Sequence, residues 1–387
     1  MSEIKVNSIK GVAASTAAIT VNNTDGTCTA NITNNLTNKN LVINGAFQVA
    51  QRGTSSTTSG IATVDRFGMY HSGVDEAPTQ EQASVTSGGA YDSGFRNCLK
   101  VTNGNQTSGG GAAKYIWIQS LFESQDIANS GWNYTSTSSF ITVQFWVKSS
   151  VAQNFYGYVR SVDGSNYLYP FETGSLSANT WTKITKTIPG NSNLTFDNDT
   201  GHGFQINIFP YLGTGYTGSI SLNAWSAYNS SVRTPDYTAT WYTTNDATFE
   251  LTGVQIEVGS VATDFEHRSF AQELALCQRY YFQLVDGNTQ FIGIGHSFSS
   301  SEIDVGIAFQ TAMRGAPSLV QTSGGNYFSV FGGGDSTTYV DGNWTIFAAT
   351  EHGCFLYATP DATITAGNTK LIRSTNASAR LAFNAEV

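Results

Sequence analysis

Short runs of alternating apolar and polar residues recur through this 387-residue chain, and turn chemistry breaks them at hairpin-like intervals. A period of two sends one side-chain set to a buried face and the other to solvent, which is the signature of half-buried strands. Val143, Phe145 and Val147 alternate in ITVQFWVKSS, and Asp163-Gly164 supplies a hairpin turn between NFYGYVRSV and NYLYPFE. WTKITKTIP, FQINIFPYL and FELTGVQIEVG continue the pattern to residue 258. Such spacing predicts an all-β fold with a two-sheet sandwich of jelly-roll type. The Gly-rich stretch 103–112 reads as a flexible loop.

One segment has helical spacing. In 269–284, Phe270, Leu274, Cys277, Tyr281 and Leu284 share a face, and Ser269 with Gln272 forms a capping box. Tyr280, Tyr281 and Leu284 give it more apolar surface than one face needs, so Leu274, Cys277, Tyr281 and Leu284 are expected at the centre of a threefold bundle. Beyond it, FIGIGHSF, IDVGIAF, NYFSVFGGG, CFLYAT and RLAFNAEV return to strands and Gly-rich turns, a second and smaller β domain. At the other end, residues 1–40 hold short strands and a turn at Asn23-Thr24-Asp25-Gly26 with few large apolar residues. A segment like that cannot bury a core alone and is expected to borrow one from a symmetry mate or a docking partner. The expected domains are 1–39, an extended attachment and trimerisation segment; 40–267, the sandwich; 268–284, the linking helix; and 285–387, the C-terminal β domain.

Composition narrows the partners. Aromatics make up 12% of the chain, enough for a sizeable core, while charged residues are also only 12%, half the usual share. The net charge is −9 with no Lys/Arg run, which argues against a nucleic-acid backbone or an anionic membrane surface as partner. Cys28, Cys98, Cys277 and Cys354 are scattered with no C-x-x-C pair, so free thiols of a protein folded in a reducing cytosol are expected. No 18-residue apolar run and no signal-peptide pattern occurs; a protein acting outside a cell would need a route other than secretion.

Several strings together resemble phage tail-fibre proteins. NLVINGAFQVAQRG (40–53) and TVDRFGMY (63–70) are similar to the opening of a sandwich domain in that family, and TIPGNSNLTFDNDTGHGFQINIF (187–209) to its mid-section. LTGVQIEVGSVATDFEHRSFAQELALCQRYYFQL (251–284) resembles its closing strand and helix, and AMRGAPSLV (312–320) and FNAEV (383–387) its C-terminal tip. The first 35 residues look like attachment segments of marine phage virion proteins. The resemblance implies a homotrimeric virion protein whose sandwich is like a carbohydrate-binding module. It also implies synthesis in the host cytoplasm and release by lysis, and attachment through residues 1–39 to another virion protein. The implied ligand is host-surface polysaccharide.

Within that frame the scarce cations stand out. Arg52 and Arg66 are each expected to pair with Asp65, Glu257 or Glu266, tying the two ends of the sandwich together, with Phe265-Glu266-His267-Arg268 beside the junction. In Asn44-Gly45-Ala46-Phe47 the glycine is expected to supply backbone freedom and Phe47 an anchor. Sugar recognition uses flat aromatics and amide side chains. Trp146 and Trp181 fall in alternating strands and are expected in the core. Trp132, Trp225, Trp241 and Tyr242 lie in irregular stretches, Tyr156 and Tyr158 share a strand face, and Tyr327, Tyr339 and Trp344 neighbour tip turns. These nine are the candidate glycan contacts. For each, a place in a core or subunit interface competes, because aromatics dominate both.

No catalytic constellation is expected. There is no G-x-S-x-G, no H-E-x-x-H and no coil repeat of the kind seen in fibre depolymerases. Asp75/Glu76 and Glu123/Asp126 are the carboxylate pairs a glycosidase would need, with nothing to rank them. Asp197 and Asp199 superficially fit a calcium loop, but the twelfth position is Ile208, so a β-turn without a required cofactor is expected. The functional expectation is a tail fibre or fibre-like virion protein that attaches to host glycan. A structural capsid-surface, neck or tail fibre without receptor binding and a polysaccharide hydrolase are the alternatives.

Overall fold

The structure is a computed structural model and describes residues 8–9, 19–21, 24, 28–30 and 38–387. Ser8–Ile9, Ile19–Val21 and Cys28–Ala30 form a small antiparallel sheet on which Ile9 is exposed. The expected Asn23–Gly26 turn and most of the attachment segment lie outside the described residues.

Two six-stranded antiparallel sheets face each other across one core. Sheet I runs Ser226–Ala227, Tyr167–Ser175, Asn154–Ser161, His202–Leu212, Tyr115–Glu123, Gly68–Ser72. Sheet II runs Thr182–Pro189, Phe140–Ser149, Thr248–Val258, Asn97–Thr102, Thr79–Ser84, Ser55–Ser56. Successive strands switch sheets repeatedly, which is the jelly-roll habit. Alternation fixes what faces inward: Val143, Phe145 and Val147 from sheet II meet Phe155, Val159 and Phe171 from sheet I. The Asp163-Gly164 hairpin forms as read, with Gly164 at φ +61.

Both outer faces of the sandwich are also covered. Residues 213–239 fold over sheet I, where Tyr158, Leu168, Phe209 and Leu212 pack with Trp117, Tyr216 and Tyr237. Over sheet II, Ala90 and Phe95 pack with Cys98, Trp146, Trp181 and Phe265. Trp146 and Trp181 therefore belong to an outer layer and are half-buried, which corrects the core expectation. The loop at 103–112 is tied down rather than free. Asp75 accepts from the Ser108 amide and hydroxyl at 2.7 Å, and Glu76 accepts from the Asn105 amide at 2.7 Å.

Two local readings change. Gly45 is needed for close approach: a Cβ there would lie 2.0 Å from the Val254 carbonyl oxygen, and the left-handed residues of that turn are Asn44 and Phe47. The helix spans only Phe270–Gln278, with the Ser269 capping box in place. Tyr281 and Leu284 are on the strand Tyr281–Asp286, because the run Tyr-Tyr-Phe has strand chemistry and pairs with the distant Arg380–Asn384. Cys277 is buried within its own chain and Leu274 half-buried, while Phe270 and Leu276 point outward. The four residues expected at a threefold bundle thus do not form one helical face.

The C-terminal domain packs a three-stranded sheet (Tyr281–Asp286, Arg380–Asn384, Ser318–Thr322) on a seven-stranded one. The seven run Asp335–Val340, Phe328–Gly332, Thr369–Ser374, Phe291–Ser299, Glu302–Ala308, Gly353–Ala358, Thr345–Phe347. Val285, Leu381 and Phe383 meet Val305, Leu356, Ile372 and Phe328 in its core.

Candidate functional site

The two domains are held by a network of buried charge. Arg52 reaches Asp65 at 3.1 Å and Glu386 at 3.0 Å, and Arg66 pairs with the other oxygen of Glu386. The guanidinium of Arg66 lies 3.4 Å over the Tyr280 ring and that of Arg52 3.7 Å over Tyr281. Glu123, closed to solvent, accepts two 2.7 Å bonds from Arg279 and one at 2.5 Å from Tyr280. Burial pushes the Asp65 carboxyl up to about 6 despite Arg52. Burial works the same way on Glu123, but Arg279 and Tyr280 outweigh it and hold that carboxyl below its ordinary value. Desolvated, hydrogen-bonded pairs of this kind fix geometry more than they add stability.

Arg52 makes the expected pair with Asp65 inside the sandwich, and both Arg52 and Arg66 also tie the sandwich to the C-terminal domain through Glu386. The partner that sequence reasoning missed is Glu386, more than 300 residues away. The two ends of the sandwich are clipped by other groups. Glu266 accepts from the Asn40 amide at 2.8 Å, Arg268 reaches Glu266 at 3.5 Å and Glu273 at 3.6 Å, and Glu257 accepts from the Thr263 amide at 2.8 Å.

Most of the candidate glycan aromatics are buried. Trp241 donates its indole N–H to the Thr248 carbonyl, Tyr242 stacks on Tyr211 at 4.1 Å, and Trp132 packs with Phe196. Tyr158 lies under the layer that covers sheet I, and Trp344 packs edge-on against Phe328 in the tip core. These five present no ring face to solvent. Trp225, Tyr156 and Tyr327 are half-buried; Trp225 donates to the Pro189 carbonyl, and Tyr156 meets Tyr237 edge-on. Tyr339 alone among the nine is exposed. The loops called irregular in sequence are lids packed on the sandwich, which is why their aromatics are inside.

Tyr339 belongs to a surface that the sequence reading did not single out. Among the described residues nothing covers the outer face of the seven-stranded sheet. Strand register assembles it in rows: Tyr339, Ser329, Arg373 and Phe291; then Phe331, Leu371 and Ile294, with Phe355 and Phe347 further across; then Thr369, His296, Asp304, Tyr357 and Thr345. Exposure is 62% for Phe291, 63% for Ile294, 68% for Phe298, 64% for Phe347 and 54% for Phe355. At about 200 Å² for a large side chain, these residues with Leu371, Tyr357 and Tyr339 leave on the order of 800 Å² to solvent. The signal was present in FIGIGHSF and CFLYAT, which carry large apolar residues at both parities.

The carboxylate pairs are engaged elsewhere. Asp75 and Glu76 hold the 103–112 loop, and Glu123 is enclosed by Arg279 and Tyr280. Burial, with the Glu123 charge beside it, raises Asp126 to about 6. Asp199 closes a turn by accepting from the Gly201 amide at 2.8 Å, and the Asp197 amide donates to Asp163. Among the described residues no group of three or more His, Cys, Asp or Glu side chains is placed to hold a metal, Cys98, Cys277 and Cys354 are free thiols, and no helix is long and apolar enough to cross a membrane.

No family model and no curated protein matches the chain. Among solved structures, the enzymatically active domain of bacteriophage CBA120 tailspike protein 4 is 9% identical over 57% of this chain, with a TM-score of 0.31, and the chain spans 21% of its length. A putative sugar binding protein from Bacteroides thetaiotaomicron is 8% identical over 57% of this chain and 100% of its own, at 0.31. The N-terminal cellulose-binding domain of a Cellulomonas fimi β-1,4-glucanase is 11% identical over 55% of this chain and 99% of its own, at 0.27. With all three scores below 0.5, the sandwich assignment rests on this chain's own sheet order.

Proposed function

We propose that this chain is a fibre-like phage virion protein, a homotrimer that attaches to host-surface glycan without cutting it. Residues 1–39 join it to another virion protein, and 285–387 form the distal end. The observation that carries the proposal is the bare face of the seven-stranded sheet. A soluble monomer rarely leaves so large an apolar patch in water, and about 800 Å² is what one partner gives to a standard interface. Copies of the same chain are the occupants that fit, because the patch is broad and sparsely charged, with Arg373 on one side and Asp304 and Glu302 on the other. The buried network of Arg52, Arg66 and Glu386 supports a tip held in fixed orientation on the sandwich. Threefold display turns weak sugar contacts into useful avidity. The chain is made in the host cytoplasm and needs neither cofactor nor calcium.

Adsorption competition tests this reading. Host cells pre-incubated with the purified, folded full chain should lose phage adsorption in a dose-dependent way. A trimer that leaves adsorption unchanged would instead mark a structural capsid-surface, neck or tail component, and release of oligosaccharide from host polysaccharide would mark a hydrolase.

A further inference from the structure

The open face of the seven-stranded sheet is not level. In the strand Glu302–Ala308, Glu302, Asp304, Gly306 and Ala308 alternate outward, so its outer side chains run out at Gly306 and Ala308. Register places the Phe355 ring beside Gly306. His296 pairs with Asp304, so Ile294, two residues before His296, stands on the other side of Gly306. Ile294 is 63% exposed and Phe355 54%, and they are the apolar walls of a groove floored by glycine. Residues 348–353 close one end of the hollow, which measures about 430 Å³. A cavity of about 150 Å³ is enough to take a benzene ring. No Lys, Arg, Asp or Glu lines the hollow, so it suits an apolar occupant.

The neighbouring glycines of this sheet are required by their own chain. A Cβ on Gly293 would lie 2.6 Å from the Val305 side chain, and one on Gly295 2.5 Å from the Asp304 carbonyl oxygen. One on Gly353 would lie 2.5 Å from the Ile307 carbonyl oxygen. Gly306 differs from all three. Its φ is not in the left-handed region, and a Cβ there would meet the Phe355 ring at 3.6 Å, an ordinary contact. Glycine inside a strand weakens it and often marks a place where another chain or a ligand comes close. Among the described residues nothing needs Gly306 to be small. A side chain arriving from outside does.

We infer that this groove is a socket of the subunit interface, in which a large apolar side chain of a second copy seats over Gly306 between Ile294 and Phe355. The same face carries the knobs. Phe291, Phe298 and Phe347 are 62%, 68% and 64% exposed. A cyclic trimer joins one part of a surface to a different part of the next copy, so each chain gives a knob and receives one. The socket is continuous with the apolar surface of on the order of 800 Å² assigned above to the contact between copies. It deepens and rests on the homotrimer part of the proposed function, and it names the position that sets how closely the copies approach.

The test is sedimentation velocity over a dilution series of the full chain, beside Gly306→Ala and Gly306→Val. Valine suits a strand better than glycine but fills the groove. The Gly306→Val trimer should dissociate at a chain concentration at least about tenfold above the parent's, with Gly306→Ala between the two. Added to a chain already kept single by Phe347→Asp and Phe355→Asp, Gly306→Val should leave the urea midpoint unchanged or raise it. A Gly306→Val trimer as tight as the parent overturns the socket and leaves the homotrimer standing. A lowered urea midpoint in the single chain also overturns it, because the glycine would then be serving its own chain. A parent that stays monomeric at every concentration removes the homotrimer and the socket together, and assigns the open face to an occupant other than a second copy.

Discussion

The sandwich and the C-terminal domain are made from the same kind of strand, yet they treat their sheet faces differently. In the sandwich, loops 213–239 and 260–267 and the short helix Gly88–Asp92 return over the outer faces, and large side chains there find partners in the same chain. In the C-terminal domain nothing among the described residues returns over the seven-stranded sheet, and its outer strand positions carry Phe291, Ile294, Phe347 and Phe355 all the same. Strand chemistry alone does not decide which faces meet water. The length and placement of the connecting segments do, and here they separate a region with both outer faces covered from one whose outer face is open among the described residues.

Core truncation should separate the two regions most strongly. Phe145→Ala removes a fully buried ring between the sheets and should destabilise the chain by about 4 kcal/mol, read as a lower urea midpoint. Phe355→Ala, on the bare face, should change the stability of the isolated chain by less than about 0.5 kcal/mol. Equal losses would mean that the tip face is covered within the monomer and would break the comparison.

A smaller effect sits at the junction of the two regions. Burial raises Asp65 from 3.8 to about 6 in the folded chain. Between those values the folded state holds a proton that the unfolded state has released, so stability falls as pH rises from about 4 to about 6 and is level above that. The fall is on the order of 3 kcal/mol for this group. Asp65→Asn should remove that part of the slope, leaving the parts that belong to Asp126 and Glu273, both raised by burial. An unchanged slope in urea titrations at pH 4, 5, 6 and 7 would show that the junction carboxyl is not buried as described.

Much of the sandwich was legible because its information is local. Alternation at Val143, Phe145 and Val147, the Asp163-Gly164 turn and the Ser269/Gln272 capping box each act within a few residues. What failed depends on distant chain. The helix stops at Gln278 because Arg380–Asn384 takes Tyr281–Asp286 as a strand partner, and no local pattern announces that pairing. Arg66 was readable as a scarce cation, but its partner Glu386 and the Tyr280 ring beneath it were not. Turn-like neighbours make Trp241 and Tyr242 candidates for exposure in the sequence, whereas a lid packed on a core is irregular in sequence and still buried. The outward place of Trp146 was hidden by the same strand that made Phe145 easy to place.

The central claim is that the bare face of the seven-stranded sheet is a subunit interface. Sedimentation velocity of the full chain at micromolar concentration, beside a chain carrying Phe347→Asp and Phe355→Asp, tests it most directly. The account predicts a three-chain species for the first and folded single chains for the second. A monomeric parent chain, or a trimer that survives both substitutions intact, would contradict it.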